Sequence, residues 1–482
     1  MSLQYSKRSH STRVVNLLLD LFKTQVNKLR VRTLLLLLPI VIQPLLAQVT
    51  FTQDVAPIIF NHCTQCHRPG EAAPFTLMNY SDVVKHGKLI AAVTADRIMP
   101  PWKAEPASYD YRDSRRLTDA DLETIQSWVK QGMPEGDPKK LPALPKFTDG
   151  WQLGTPDLIV KMDKSFTVPA DGSDIYRYLR IPLNLPDDKW IRAVELRPSS
   201  RQVVHHVLYF ADSTGDAKKI EAEEDASKSP MAGMKISRDM LPLGGVAVGA
   251  QPHLLPTGLA LKLPKGTDLM FQYHFHPIGK EETEQSTVGL YFATKAPEHT
   301  LTSVQLPVAY GLFSALNISP GQRDFKVTDS FTLPVDVEAV SIGAHAHYIG
   351  KTMKMTATFP DGTVKTLLDI KDWDFAWQDR YFFENAILLP KGTRLDSEVT
   401  WDNSGDNPKN PSRPPVQVQW GEQTKDEMGA VTLQVYPAAE ADLDTLRGIY
   451  RQHVREIARA RIMQDPGLMI KVRELTGGNG GN

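Results

Sequence analysis

The sequence of 482 residues predicts a multidomain chain: a small all-α segment, two all-β antiparallel sandwich domains, and a C-terminal helix. Three observations carry that prediction. Between Thr52 and Gly132 apolar residues recur at helical spacing, first at Val55, Ile58 and Ile59 and later at Leu122, Ile125, Trp128 and Val129. From about Pro156 to Pro437 the text changes to short alternating runs such as WIRAVELRP, VGLYFA and VTLQVYP, separated by Gly, Pro, Asp and Asn. From Ala441 to Ile462 a helical stripe returns, made of Leu443, Leu446, Ile449, Tyr450, Val454 and Ile457.

Composition narrows the function classes. With 41% hydrophobic and 23% charged residues, the chain has material for two or three cores. A net charge of −1 without a dense Lys/Arg block argues against nucleic acid as a partner.

Residues 1–47 read as an export leader, because Lys28, Arg30 and Arg32 precede the apolar run TLLLLLPIVIQPLLAQ and the small residue Ala47 falls near its end. That run is short for a membrane span and is interrupted by Pro39 and Pro44. The expectation is cleavage near Ala47 and a periplasmic or secreted protein with no stable membrane span once mature. Residues 48–132 form the helical domain, with Thr118 and Asp121 opening its last helix and Gly132 stopping it. The proline-rich stretch 133–155 reads as a semi-rigid linker. The β region is too long for one comfortable sandwich core and divides into 156–315 and 316–438, leaving 439–482 as a helical tail.

Both cysteines lie in FNHCTQCHRPG, residues 60–70. Cys63 and Cys66 have the spacing that fixes one porphyrin edge through two thioether bonds, and the adjacent His67 can reach the iron from the same turn. A zinc half-site would need further ligands nearby and a redox dithiol a βαβ setting, and neither is present. Met99, in the proline-fixed stretch DRIMPPW, is the candidate sixth iron ligand, against its reading as an ordinary core methionine. The order helix, CTQCH, RIMPPW, helix resembles small bacterial cytochrome c domains, which implies a covalently held haem c.

The other histidines cluster in pairs. His205 and His206 are adjacent in QVVHHVLYF, His274 and His276 alternate in FQYHFHP, and His345 and His347 alternate in GAHAHYIGK. On a strand, positions i and i+2 face one side, so an alternating pair can grip one metal ion. The adjacent pair needs a bulge or a strand end to do the same. Imidazoles alone suit zinc, copper or iron; Met428, in WGEQTKDEM, adds a thioether, which is chosen for copper(I) over zinc.

Taken in order, HHV, FQYHF, HAHYIGK and QTKDEM resemble the copper type II, ascorbate-dependent monooxygenases typified by peptidylglycine alpha-hydroxylating and dopamine beta-monooxygenase. The resemblance implies two jelly-roll-like sandwiches holding one copper ion each. His205, His206 and His274 would form an electron-storing site, and His345, His347 and Met428 the oxygen-binding, catalytic site. It further implies hydroxylation of a C–H bond with O2 and two electrons, usually from ascorbate. The expectation for this chain is a small organic substrate, ascorbate or a periplasmic redox protein as external donor, and the fused haem as relay, since a tethered cytochrome is a local one-electron donor at high effective concentration. The alternative is a non-catalytic periplasmic electron-transfer or copper-binding protein. Peptide amidation is not expected, since the positions that grip the peptide carboxylate in amidating members are Gly343, Ala430 and Thr432 here.

Overall fold

The computed structural model describes residues 48–71, 73–147, 150–172, 174–226, 240–247, 251–421, 425–465 and 467–469. The expected leader, with Lys28, Arg30, Arg32 and Ala47, lies outside them.

The N-terminal segment is helical as its periodicity predicts, with helices Ala56–His62, Tyr80–Ala95 and Asp119–Lys130. Thr118 and Asp121 form a reciprocal capping box at the start of the third, and the Asn79 side chain caps the second by accepting from Asp82 N. Phe51, Val55, Ile59, Ile125 and Trp128 are fully buried and form its core. The expected linker does not begin at Met133. Phe51 N and Thr52 N donate to the carbonyls of Pro134 and Glu135 at 2.9 Å each, and Trp128 Nε1 donates to Pro134 O at 3.0 Å. Proline lacks a donor but keeps its acceptor, and here the acceptor closes the helical core.

The β region forms two sandwiches built of antiparallel sheets. In the first, one sheet runs in the order Leu158–Lys161, Thr287–Phe292, Lys189–Arg197, Leu261–Leu263. The facing sheet runs Ile175–Pro182, Asp268–Phe275, Val204–Asp212, Leu241–Ala247. Ile191 and Leu290 from one sheet and Val207, Phe271 and Tyr273 from the other meet in a single core. The strand Asp268–Phe275 is buried on both faces rather than alternating. Part of its second face is covered by helix Asp216–Ala226, whose Ala217 and Ile220 pack on Tyr178 and Met270.

In the second sandwich the sheet Thr302–Leu306, Gly429–Pro437, Val337–Ala346, Arg380–Leu389 faces the sheet Phe325–Thr332, Arg394–Trp401, Gly350–Thr358, Val364–Ile370. Ile342 and Val431 meet Met353 and Leu395 in its core. Thr302–Leu306 pairs with Gly429–Pro437, so this sandwich begins near residue 302 and not at 316. A strand of five residues does not carry its partner's identity in its own alternation, so alternation alone sets the boundary too late.

The helical segment is not a separate body, because Thr50 to Asn482 form one compact unit. The stretch 101–116 runs along the second sandwich: Ala104 bridges Ile370, Tyr111 bridges Phe383, and Glu105 N donates to Asp369 O at 2.8 Å. At the other end, helix Leu443–Gln464 lays Leu446 and Tyr450 on the same sandwich, and Tyr450 Oη donates to Gln305 O at 2.8 Å while accepting from Gln305 N. Ile449, placed on the apolar stripe by its spacing, is 42% exposed. Among the described residues no helix is long and apolar enough to cross a membrane.

The contrast between Leu446, 1% exposed, and Ile449 gives a test of how the terminal helix docks. Leu446→Ala is expected to destabilise the fold by about 2–5 kcal/mol and Ile449→Ala by less than about 0.5 kcal/mol, as read by denaturant unfolding followed by far-UV circular dichroism.

Candidate metal centres

The first centre arises from one irregularity between two neighbouring strands. His206 is paired with His274, and the register slips by one residue between Val204 and His206, which makes His205 the extra residue of a β-bulge. The bulge lets adjacent histidines turn to the same place. His205 Nδ1 lies 3.3 Å from His206 Nδ1 and 3.2 Å from His274 Nδ1, and the latter two are 3.3 Å apart. Three nitrogens bound at about 2.0–2.1 Å to one tetrahedral ion would be separated by about 3.3 Å. Among the described residues these three form the group of His, Cys, Asp or Glu donors close enough to hold a metal ion.

Burial keeps His205 and His206 neutral. It pushes His205 down to about 4 and His206 well below the usual histidine range, and neighbouring imidazoles add to both shifts. His274 Nε2 donates to Asp174 Oδ2 at 2.7 Å, which commits the proton to that nitrogen and turns an unprotonated Nδ1 toward the cluster. The same contact, aided by His276, holds the Asp174 carboxyl down at about 2. His276 spends its Nδ1 on Asp174 Oδ1 at 2.8 Å and its side chain is 63% exposed, so it is a neighbour of the site and not a member. Tyr176 stacks on His274 with ring centres 4.4 Å apart.

The second centre is built at the end of a ladder. His345 is paired with Ala430 and Ala346 with Gly429, the last pair of the ladder, and His347 and the buried Met428 are the next residue beyond that pair on each strand. Alternation puts His345 and His347 on one face at this strand end. The two imidazole rings lie 5.3 Å apart. Gln378 Oε1 accepts from His345 Nδ1 at 2.6 Å, and the Asp426 carbonyl accepts from His347 Nδ1 at 2.9 Å, which fixes the orientation of both rings. Burial pushes His345 down to about 3.

Glu427, fully enclosed, accepts from His347 N at 2.9 Å, Ile349 N at 2.7 Å and Trp401 Nε1 at 3.0 Å. Burial pushes its carboxyl up to about 8 against those hydrogen bonds. One side chain therefore ties the histidine-bearing strand to the segment carrying Met428.

The loop 371–379 was not legible as functional. Trp373 Nε1 donates to His347 O at 3.0 Å, Gln378 holds His345, and Phe375 places its ring between the two centres. Phe375 is centred 6.3 Å from His206, 6.5 Å from His274 and 5.8 Å from His347. No spacing signal marks KDWDFAWQD; its aromatic density in a polar loop was the one available cue.

Cys63, Cys66 and His67 share the turn that ends helix Ala56–His62, where Cys66 N and His67 N both donate to Cys63 O. Both thiols are free, and burial pushes Cys63 up to about 12. His67 Nδ1 donates to Phe75 O at 3.0 Å, which leaves Nε2 as the available ligand atom. Two unpaired thiols and an oriented imidazole fit a covalently attached porphyrin. Met99 lines a small cavity with Arg97, Pro100, Trp102, Arg116 and Leu117.

No family model matches the chain, and no curated protein matches it significantly. Among solved structures, the major capsid protein P2 from bacteriophage PM2 is 11% identical, covering 58% of this chain and 96% of that one, at a TM-score of 0.24. PNGF-II is 9% identical, covering 58% of this chain and 65% of its own, at a TM-score of 0.26. Neither similarity bears on the chemistry of the two centres.

The first centre predicts a sharp difference between two histidines. His274→Ala is expected to lose the metal ion of that centre and His276→Ala to retain it, while Asp174→Asn weakens metal affinity by roughly 10–100-fold; competitive chelator titration reads all three. Acid should act on the metal-free protein with a definite sign. From pH 6.5 down toward about 4 the unfolded chain binds protons at His205 and His345 that the folded chain refuses, so stability falls as pH falls through that window. Thermal unfolding at fixed ionic strength measures it, and a flat profile would refute the buried neutral imidazoles.

Proposed function

We propose that this chain is an exported copper-dependent monooxygenase that hydroxylates a C–H bond of a small organic substrate with O2, carrying a fused c-type haem. One observation carries the reading: two unlike donor sets face each other across the Phe375 ring. The first offers three converging Nδ1 atoms, a closed imidazole set. The second offers the two oriented imidazoles of His345 and His347 beside the strand end that carries Met428, and a set of two imidazoles and one thioether would leave positions open for a small molecule. When bound, copper at the two centres and haem c at Cys63, Cys66 and His67 would supply one-electron transfer and O2 activation.

The chain's own residues do the positioning. Asp174 fixes the tautomer of His274; Gln378 and the Asp426 carbonyl fix those of His345 and His347. Glu427 holds the strand end that carries Met428 beside the two imidazoles. Phe375, 7% exposed, fills the space between the centres with an apolar ring and excludes water there. Met99 stays the candidate for the sixth iron position. An external donor, ascorbate or a periplasmic redox protein, would supply the electrons.

The deciding experiment uses the full chain matured with haem and loaded with copper. Parent protein is expected to bind about two copper ions, and Met428→Ile to lose O2-dependent product formation by at least roughly tenfold while keeping haem reduction, with 18O2 incorporation as readout. A Met428→Ile protein that consumes O2 and forms hydroxylated product as fast as the parent would leave the electron-carrier reading as the better account.

A further inference from the structure

The cysteine-bearing turn and the first imidazole cluster open onto one cleft. It measures about 870 Å³ counted to its open mouth, with Gln65, Cys66 and Glu71 on one wall and Arg201, His205 and Gln251 on the other. Two polar contacts fix the walls against each other. Gln65 Nε2 donates to Gln251 Oε1 at 3.2 Å, across 186 positions of sequence. The Glu71 carboxylate is held between Arg68, at 2.9 Å, and Arg201 of the first sandwich. The three side chains of this network are only 13%, 17% and 26% exposed, so they are less screened than a surface pair.

Cys66 stands on the cleft wall, and any group bonded to its Sγ begins its course inside the cleft. We propose that the first sandwich is part of the porphyrin site: Arg201, Gln251 and His205 form the second wall against the edge of a porphyrin covalently attached at Cys66. The proposal rests on the reading of Cys63, Cys66 and His67 as a haem attachment motif. It adds that the bound group is not enclosed by the helical segment alone, and that a charged and a polar side chain of a β domain, whose partners lie 130 and 186 positions away along the chain, act on it.

The sign of that action follows from electrostatics. Oxidised iron carries one positive charge more than reduced iron, so a nearby cation favours the reduced form and raises the midpoint potential, while loss of a cation lowers it. The test uses the full-length, haem-matured chain without copper, so the readout is independent of turnover. Spectroelectrochemical titration of Arg201→Gln is expected to give a lower midpoint than the parent and Gln251→Lys a higher one, both with altered Soret circular dichroism and unchanged covalent haem content. Lys326→Gln, at an exposed ion pair of the second sandwich, serves as control and is expected to leave the midpoint in place. Normal haem content with both midpoints unmoved overturns the shared cleft and leaves the attachment motif standing. A parent chain that holds no covalent haem after maturation overturns both.

Discussion

An imidazole has two nitrogens, and in this chain one of them is repeatedly committed to an acceptor supplied by a different element. Asp174 takes the Nε2 proton of His274; Gln378 and the Asp426 carbonyl take the Nδ1 protons of His345 and His347; the Phe75 carbonyl takes that of His67. The choice of nitrogen is not arbitrary. In the first centre the strands lie side by side and the short reach of Nδ1 brings three rings together, whereas in the second the rings stand out from the end of the ladder and present their far nitrogens. Burial then suppresses the charged form at His67, His205, His206 and His345, and the committed acceptors fix ring orientation.

These donors sit where they do because of sheet register. A one-residue slip between Val204 and His206 converts neighbouring side chains that would point to opposite faces into a pair sharing one face. At the second centre no slip is needed near the histidines, since alternation alone aligns His345 with His347. Glu427 is the more demanding element. An enclosed carboxyl costs solvation, and its three hydrogen bonds from His347, Ile349 and Trp401 offset that cost only while the strand ends stay together.

Much of this was written in local pattern. Alternation located the strands, the capping signal at Thr118 and Asp121 located a helix, and the adjacent histidines required the bulge that is present. Nothing local could say that Thr302–Leu306 pairs across 127 positions with the strand of Thr432, or that Ile449 faces solvent on a stripe whose Leu446 is buried. Asp174, Gln378 and Phe375 escaped for the same reason. Each is an ordinary residue in an unremarkable stretch, and its role exists only through a partner brought near by folding. Composition starts the linker at Met133 because it reports what proline cannot donate and is silent on what the Pro134 carbonyl accepts.

The loop 371–379 is gripped at both ends by the stretch that follows Met99. Lys103 pairs with Asp372 at 3.0 Å and Arg115 pairs with Asp379, immediately beside Gln378. The N-terminal segment thus acts as a strut under the second centre, in addition to whatever group its cysteines carry. Cutting the chain after the helical segment to obtain a simpler pair of sandwiches would remove the two fastenings of the loop that orients His345 and separates the centres. The segment that looks like a detachable module is part of the scaffold of a site that lies more than two hundred positions downstream.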